Sequence, residues 1–319
     1  MKVFVIAAAI LGGLGGAAPA VAQTNPTVAV ILNDPASPYW QSVLAGARKA
    51  SQELGIALSE LGAQSRFDLN AQIGLIEKAV ASNPSAIMVA PMDSSALRHP
   101  IEEAAKKTRV IGLGSAADGG VTLRVGTDNA KAGGMAADAL AAAITRTYGD
   151  TEGNVAIIAS PPGIPALDQR TKSFKEVVAA KYRALALTPD KVADGEPAIV
   201  QKIVKELVAG TTDLRGLFVA DPMMTSLVGQ GVVDSKPSDK INIVGFGASG
   251  KLVKLLGSDV IAGLVVEDPF RIGYQGVKTA VAAARGEAVA ASVDTGATLI
   301  TKANMSSPRS QELLSSNMR

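Results

Sequence analysis

Apolar residues recur along this chain in two patterns. Short, mainly apolar runs occupy 28–32, 56–59, 86–90, 110–113, 123–126, 155–158, 217–220, 241–246, 261–266 and 293–300. A run without polar alternation is what a parallel strand buried on both faces requires. Between these runs lie longer stretches with apolar residues three and four apart, over 39–53, 69–82, 95–108, 130–148, 169–182, 199–209, 223–233, 250–256 and 269–285. That spacing predicts helices with one face on a sheet. Strand and helix alternate, so the strands form parallel sheet with helices on both faces. The strands are too many for one comfortable sheet, which predicts an α/β fold of two doubly wound parallel-sheet lobes. The polar tail over 304–319 reads as a surface arm, frayed at its end.

The same punctuation closes several strands. Ser37-Pro38, Asp221-Pro222 and Asp268-Pro269 each end an apolar run and open a helical one. Ser or Asp caps free amides, and Pro suits the first helical position because no amide proton is needed there. Asp128 reads in the same way, as the cap of the helix from 130. Tyr39 and Trp40 directly follow the first of these starts, at the carboxyl edge of a sheet, where open α/β folds bind ligands. In a chain that is 3% aromatic, the pair forms either a flat platform for a small molecule or part of the core under the first helix. Met223 and Met224 are open to the same two readings.

Composition narrows the chemistry. The 319 residues carry a net charge of +2 with no basic block, which gives no electrostatic case for nucleic acid. Cysteine is absent, which excludes disulfides, thiolate catalysis and Cys-metal sites. His99 is the only histidine and reads as a surface residue. Residues 1–22 read as a secretory signal: Lys2, an apolar stretch, then Ala20-Val21-Ala22 before Gln23 as a cleavage site. The mature protein is therefore expected to be soluble and periplasmic. No P-loop is present. Gly245-Phe-Gly-Ala-Ser-Gly250 has the G-x-G-x-x-G form, with Glu267 at the spacing of a ribose-binding acid. It lies late in a long α/β ladder, whereas a dinucleotide fold begins with it. A nicotinamide-dependent oxidoreductase is the weaker reading, and no cofactor is expected.

From Thr27 to Leu314 the chain resembles a type I periplasmic solute-binding protein of an ABC importer, of the ribose- and galactose-binding branch. The marks are Ser37-Pro-Tyr-Trp40, Ala47–Gly55, Ala90-Pro-Met-Asp-Ser94, Gly126-Thr-Asp-Asn129 with Ala132-Gly133, and Arg170-Thr-Lys-Ser-Phe174. Val244-Gly-Phe-Gly247, Glu267-Asp-Pro-Phe270 with Gly273-Tyr274, and Asp294-Thr-Gly296 complete the set. The resemblance implies two lobes: 23–127 with 268–294, and 128–267 with 295–319. They would be joined by crossings near Thr127-Asp128, Glu267-Asp268 and Asp294-Thr295. Ligand binds between the lobes and closes the hinge, because it contacts both lobes only in the closed form.

The resemblance also implies ligand-binding residues. Ser37 is a polar contact, Tyr39 and Trp40 stack on a sugar ring, and Arg170 forks onto ring oxygen and hydroxyls. Taken by itself, Arg170 could also be a surface helix residue, the weaker of its two readings. Asp221 and Glu267 stand where sugar binders have Asn or Gln. Two departures follow. The usual aspartate after the fourth strand is Gly114, followed by Ser115, and the aspartate after V-G-F is Gly247. Each charge-assisted bond lost there is worth about 1.5–3 kcal/mol. The departures predict a wider pocket, an acid excess at Asp221 and Glu267, and a modified sugar, an amino sugar among them. The function implied is non-enzymatic delivery of a sugar, polyol or sugar-like solute to an inner-membrane permease, as a monomer. A sensory receptor of the same fold is the alternative. A transcription regulator would need a helix-turn-helix where the signal lies.

Overall fold

The computed structural model describes residues 26–63, 68–114, 121 and 123–316. The expected signal at 1–22 and Ser115 lie outside these residues. Along the chain the elements begin β1 (Thr27–Leu32), α1 (Pro38–Leu54), β2 (Ala57–Gly62), α2 (Leu69–Ala81), β3 (Ala86–Val89), α3 (Arg98–Ala105), β4 (Arg109–Leu113) and β5 (Leu123–Gly126). They continue with α4 (Asn129–Tyr148), β6 (Gly153–Ala159), α5 (Pro165–Lys181), β7 (Leu185–Leu187), β8 (Lys191–Val192), α6 (Pro197–Gly210), β9 (Leu214–Val219) and α7 (Pro222–Ser235). Last come β10 (Asn242–Phe246), α8 (Gly250–Gly257), β11 (Gly263–Glu267), α9 (Pro269–Ala284), β12 (Ser292–Asp294), β13 (Ala297–Ile300) and α10 (Pro308–Ser316).

These elements form two sheets. The first runs β12-β5-β4-β3-β1-β2 and the second β13-β11-β10-β9-β6-β7, with β8 also paired to β6. All pairings are parallel except β13 against β11. In β1, Val28, Val30 and Leu32 point to a core shared with α1 and α9. Ala29 and Ile31 point to the opposite core, shared with α2 and α3. A strand covered on both faces needs apolar residues at every position, which explains the unbroken run. The second sheet repeats the scheme. Val155, Ile157 and Phe218 face α4 and α5, whereas Ala156, Ile158, Leu217 and Val219 face α6, α7, α8 and α10.

The helix starts are capped as the dipeptides require. Ser37 Oγ accepts the Trp40 amide at 3.3 Å, Asp221 Oδ1 the Met224 amide at 2.8 Å, and Asp268 Oδ1 the Arg271 amide at 2.9 Å. Asp128 Oδ1 accepts the Lys131 amide at 3.0 Å.

Three expectations need correction. The apolar run 293–300 is not one strand: it divides into β12 and β13, which belong to different sheets. Gly296 lies at the break, with φ of +77°. The tail is not a free arm. Residues 308–316 form α10, whose Leu313 and Leu314 are buried in the second-sheet core. Two adjacent leucines in a polar segment carry no periodicity, so packing decides this helix. The third helix starts at Arg98 rather than 95, because Asp93 Oδ1 takes the amides of Ser95 and Ala96 at 2.8 and 2.9 Å and holds a turn. The short edge strands β7 and β8 left no readable run. His99 is exposed.

Candidate ligand-binding cleft

The chain passes from one sheet to the other after β5, after β11 and between β12 and β13. Asp294, at the third passage, accepts the amides of Asp128 at 3.0 Å and Gly296 at 2.8 Å and pairs with Lys131 at 3.1 Å. Burial alone would raise its pKa. These donors outweigh burial and hold the carboxyl below the usual aspartate range. Arg309 of α10 pairs with Asp268, the cap of α9, at 2.5 Å.

Between the carboxyl ends of the two sheets lies a cleft of about 640 Å³. The first sheet's wall consists of Asn33 at the end of β1, Ser37 to Trp40 at the start of α1, Ala90 and Pro91 after β3, and Leu113 and Gly114 at the end of β4. The second wall consists of Asn129, Ala166, Arg170, Pro222, Met223, Gly247, Ala248 and Glu267. Every one of these positions ends or follows a strand or begins a helix, except Arg170 within α5.

Arg170 is 4% exposed, which removes the surface reading. Its Nε donates to Asn129 Oδ1 at 2.8 Å and its Nη1 to the Ala220 carbonyl at 3.3 Å. Its Nη2 pairs with Glu267 Oε2 at 2.8 Å. The guanidinium also lies over the Phe246 ring, 4.2 Å from the centroid. A buried cation is tolerated only with such partners. The close α4–α5 approach fixes its backbone: a Cβ on Gly133 would lie 2.3 Å from the Arg170 carbonyl oxygen.

Tyr39 and Trp40 meet edge to face, 5.1 Å apart at 85°. Both line the cleft and both pack on the first-sheet core, so the two sequence readings hold together. Burial, reinforced by Glu267 and opposed by Arg170, pushes the Tyr39 hydroxyl well above the ordinary tyrosine range. It stays neutral, able to donate and to accept.

The remaining positions divide. Ser37 lines the cleft while capping α1. Met223 faces the cleft and is 58% exposed, whereas Met224 is core. Asp221 is absent from the lining, and its carboxylate is engaged at the Met224 amide. With Glu267 paired to Arg170, the described wall carries one balanced ion pair. The expected acid excess is not there.

Gly114 and Gly247 both line the cleft with left-handed backbone, φ +67° and +88°. At Gly247 a Cβ would also lie 2.5 Å from Pro222 Cβ. An L-aspartate at either position would be strained by its backbone, so the departures seen in the sequence are built into the chain path. Gly245 serves packing, since a Cβ there would lie 2.3 Å from Thr225. Ser249 caps α8 through the Leu252 amide. The glycine motif is thus engaged in packing and capping, and its supposed ribose acid, Glu267, is paired with Arg170.

Sequence reasoning did not single out Asn33, Ala90, Pro91, Leu113, Asn129 or Ala166 as cleft residues. The first four end or follow strands, so the carboxyl-edge rule applied to every strand finds them. Asn33 Oδ1 is sealed from solvent and has no hydrogen-bond partner among the described residues.

Residues 28–288 match a family described as periplasmic binding protein domain. The chain belongs to this family. Among curated relatives of this periplasmic binding protein, the ribose import binding protein of Haemophilus influenzae is 28% identical over 295 residues, 92% of this chain and 96% of its own length. The D-allose-binding periplasmic protein of Escherichia coli is 25% identical, over 78% of this chain and 82% of its own. Among solved structures, a carbohydrate transporter solute-binding protein from Agrobacterium radiobacter, in complex with D-arabinose, is 44% identical with a TM-score of 0.79, covering 92% of this chain and 99% of its own. An ABC transporter solute-binding protein from Agrobacterium vitis, bound with α-D-tagatopyranose, is 26% identical with a TM-score of 0.77, covering 91% and 99%. No helix among the described residues is long and apolar enough to cross a membrane.

Proposed function

We propose that this periplasmic binding protein captures a neutral sugar and presents it to an ABC permease in the inner membrane. One observation carries the reading: a buried, fully oriented arginine on one wall faces an aromatic pair on the other. The carbohydrate ligands of the relatives support it. A pyranose or furanose has an apolar C–H face for Trp40 and a rim of oxygens for Arg170, Glu267 and Asn129. The balanced Arg170–Glu267 pair favours a ligand without net charge over an amino sugar.

Closure follows from the layout. A ligand touching one wall gains half its contacts, so the ligand stabilises whichever arrangement brings both walls to it. The hinge passes through Thr127-Asp128, Glu267-Asp268 and Asp294-Thr295. The lobes are 23–127 with 268–294, and 128–267 with 295–319. Export with cleavage near Ala22 and Gln23, and a monomeric state, complete the proposal. Titration calorimetry with D-arabinose, D-ribose, D-allose and D-tagatose tests it. One-site binding of at least one of them is expected, and heat from none would overturn it.

A further inference from the structure

We infer that Arg309 of α10, outside the cleft, is a positioning residue for ligand capture: it ties the second lobe to the first and favours the arrangement in which the two walls face each other. This rests on the proposed capture of a sugar by hinge closure and names a residue that governs it.

The two ends of the tie belong to different cores. Arg309 lies on α10, which buries Leu313 and Leu314 in the second-sheet core. Asp268 caps α9, which buries Ile272, Val277 and Ala280 in the first-sheet core. Arg309 Nη2 donates to Asp268 Oδ2 at 2.5 Å, while Asp268 Oδ1 keeps the Arg271 amide. Three residues along α10, Glu312 Oε2 accepts from Arg309 Nη1 at 2.7 Å and aims the guanidinium. The Asp268 side chain is 10% exposed, so salt and water screen this pair less than one on the open surface. The placement of α10 does not depend on the tie. Its two leucines are buried, and Ser307 Oγ accepts the Ser310 amide at 3.3 Å at the start of the helix.

The tie reaches the cleft through two helices. α1 and α9 interlock at glycines: a Cβ on Gly46 would lie 1.9 Å from the Phe270 carbonyl oxygen, and one on Gly273 1.8 Å from that of Val43. Packed this closely, they move as one body, and the first turn of α1 carries Tyr39 and Trp40. Asp268 also adjoins Glu267, the partner of Arg170. Beside the tie, α10 and this body enclose a cavity of about 430 Å³, lined by Ser42 and Ala45 of α1, Phe270 of α9, and Glu312 and Ser316 of α10. Packing between the lobes is loose there, which leaves the ion pair a larger share of the contact. The walls approach each other in this arrangement. The Tyr39 hydroxyl on the first wall is withdrawn from water and feels both Glu267 and Arg170 on the second. Rotation of the lobes moves α10 against α9 and stretches the pair. Its energy therefore counts toward the facing arrangement, and the ligand has that much less to supply.

Arg309→Met in the mature protein tests this, with Arg309→Lys as the conservative variant. Calorimetry with D-arabinose, D-ribose, D-allose and D-tagatose identifies a sugar that the wild type binds. Arg309→Met is expected to bind that sugar about fivefold more weakly. Stopped-flow emission of Trp40 is expected to place the change in release, and Arg309→Lys to recover most of the affinity. A merely structural role would lower the melting temperature and leave affinity and release unchanged, because Arg309 does not line the cleft. Small-angle X-ray scattering without ligand gives a second reading: Arg309→Met is expected to show a larger radius of gyration than the wild type. Wild-type affinity and release in Arg309→Met, or tighter binding, would overturn the inference and leave sugar capture standing. If the wild type binds none of the four sugars, the proposed function fails. The radius of gyration then decides the tie alone, and equal radii overturn it.

Discussion

The two walls of the cleft are built alike, from strand ends and capped helix starts, and they carry opposite chemistry. The second wall holds a guanidinium with three side-chain or carbonyl partners and an aromatic ring beneath it. Its geometry is complete before any ligand arrives. Among the described residues, the first wall places no charged side chain in the cleft. It offers an edge-to-face aromatic pair, two prolines, a leucine and the unpartnered Asn33 Oδ1. Folding has thus oriented the polar wall, and the apolar wall gains most when it is covered. Changes on the polar wall should damage both fold and binding, and changes on the apolar wall chiefly binding.

The largest expected effect breaks the polar wall. Arg170→Met leaves the half-buried Glu267 carboxylate beside an apolar chain and should cost about 2–3 kcal/mol of stability, below the range of a fully buried pair. Denaturant unfolding reads this, and sugar binding should vanish with it. The double variant Arg170→Met/Glu267→Gln should recover much of the stability and none of the binding. Wild-type stability in the single variant would mean that the pair does not organise this wall.

Trp40→Ala tests the opposite wall. It should weaken sugar binding by about 1–3 kcal/mol, the scale of stacking on an aromatic face. Because this is the lone tryptophan, the wild-type protein should report saturation through its emission. A smaller loss of melting temperature is expected, since Trp40 also rests on the lobe core. Loss of folding would assign Trp40 to the core alone. Gly247→Ala should then cost about 1–3 kcal/mol of stability from its left-handed backbone, aggravated by Pro222, as read by thermal melting.

The smallest effect lies at the hinge, outside both walls. The folded pKa of Asp294 is depressed, so its contribution is present above the unfolded aspartate value and is lost as pH falls through the folded one. Asp294→Asn should therefore lower stability by under about 1 kcal/mol at neutral pH and flatten the acid limb of the stability profile. An acid limb unchanged from wild type would contradict this assignment.

Strand and helix order was readable because a doubly covered parallel strand leaves no alternative pattern. The Ser-Pro and Asp-Pro starts were readable because capping is local. What escaped the sequence was settled by tertiary contacts. Residues 293–300 read as one strand by their apolar residues, and pairing with two different sheets divides them at Asp294-Thr295-Gly296. Leu313 and Leu314 become a helix face because the second-sheet core receives them. At the site, helix-start residues such as Tyr39 and Trp40 and strand-end positions such as Gly247 could be located by rule. Sequence could not foresee that Glu267 would be drawn into a pair with Arg170, whereas the turn of Asp221 to its own helix was already legible in its Asp-Pro start.

The central claim is that one sugar is held between Trp40 and Arg170 by both walls at once. A crystal structure of the protein grown with D-arabinose tests this most directly. The account predicts the sugar ring against Trp40 and its oxygens within hydrogen-bonding distance of Arg170 and Glu267. A sugar bound outside this cleft, or resting on one wall with the other out of reach, would contradict it.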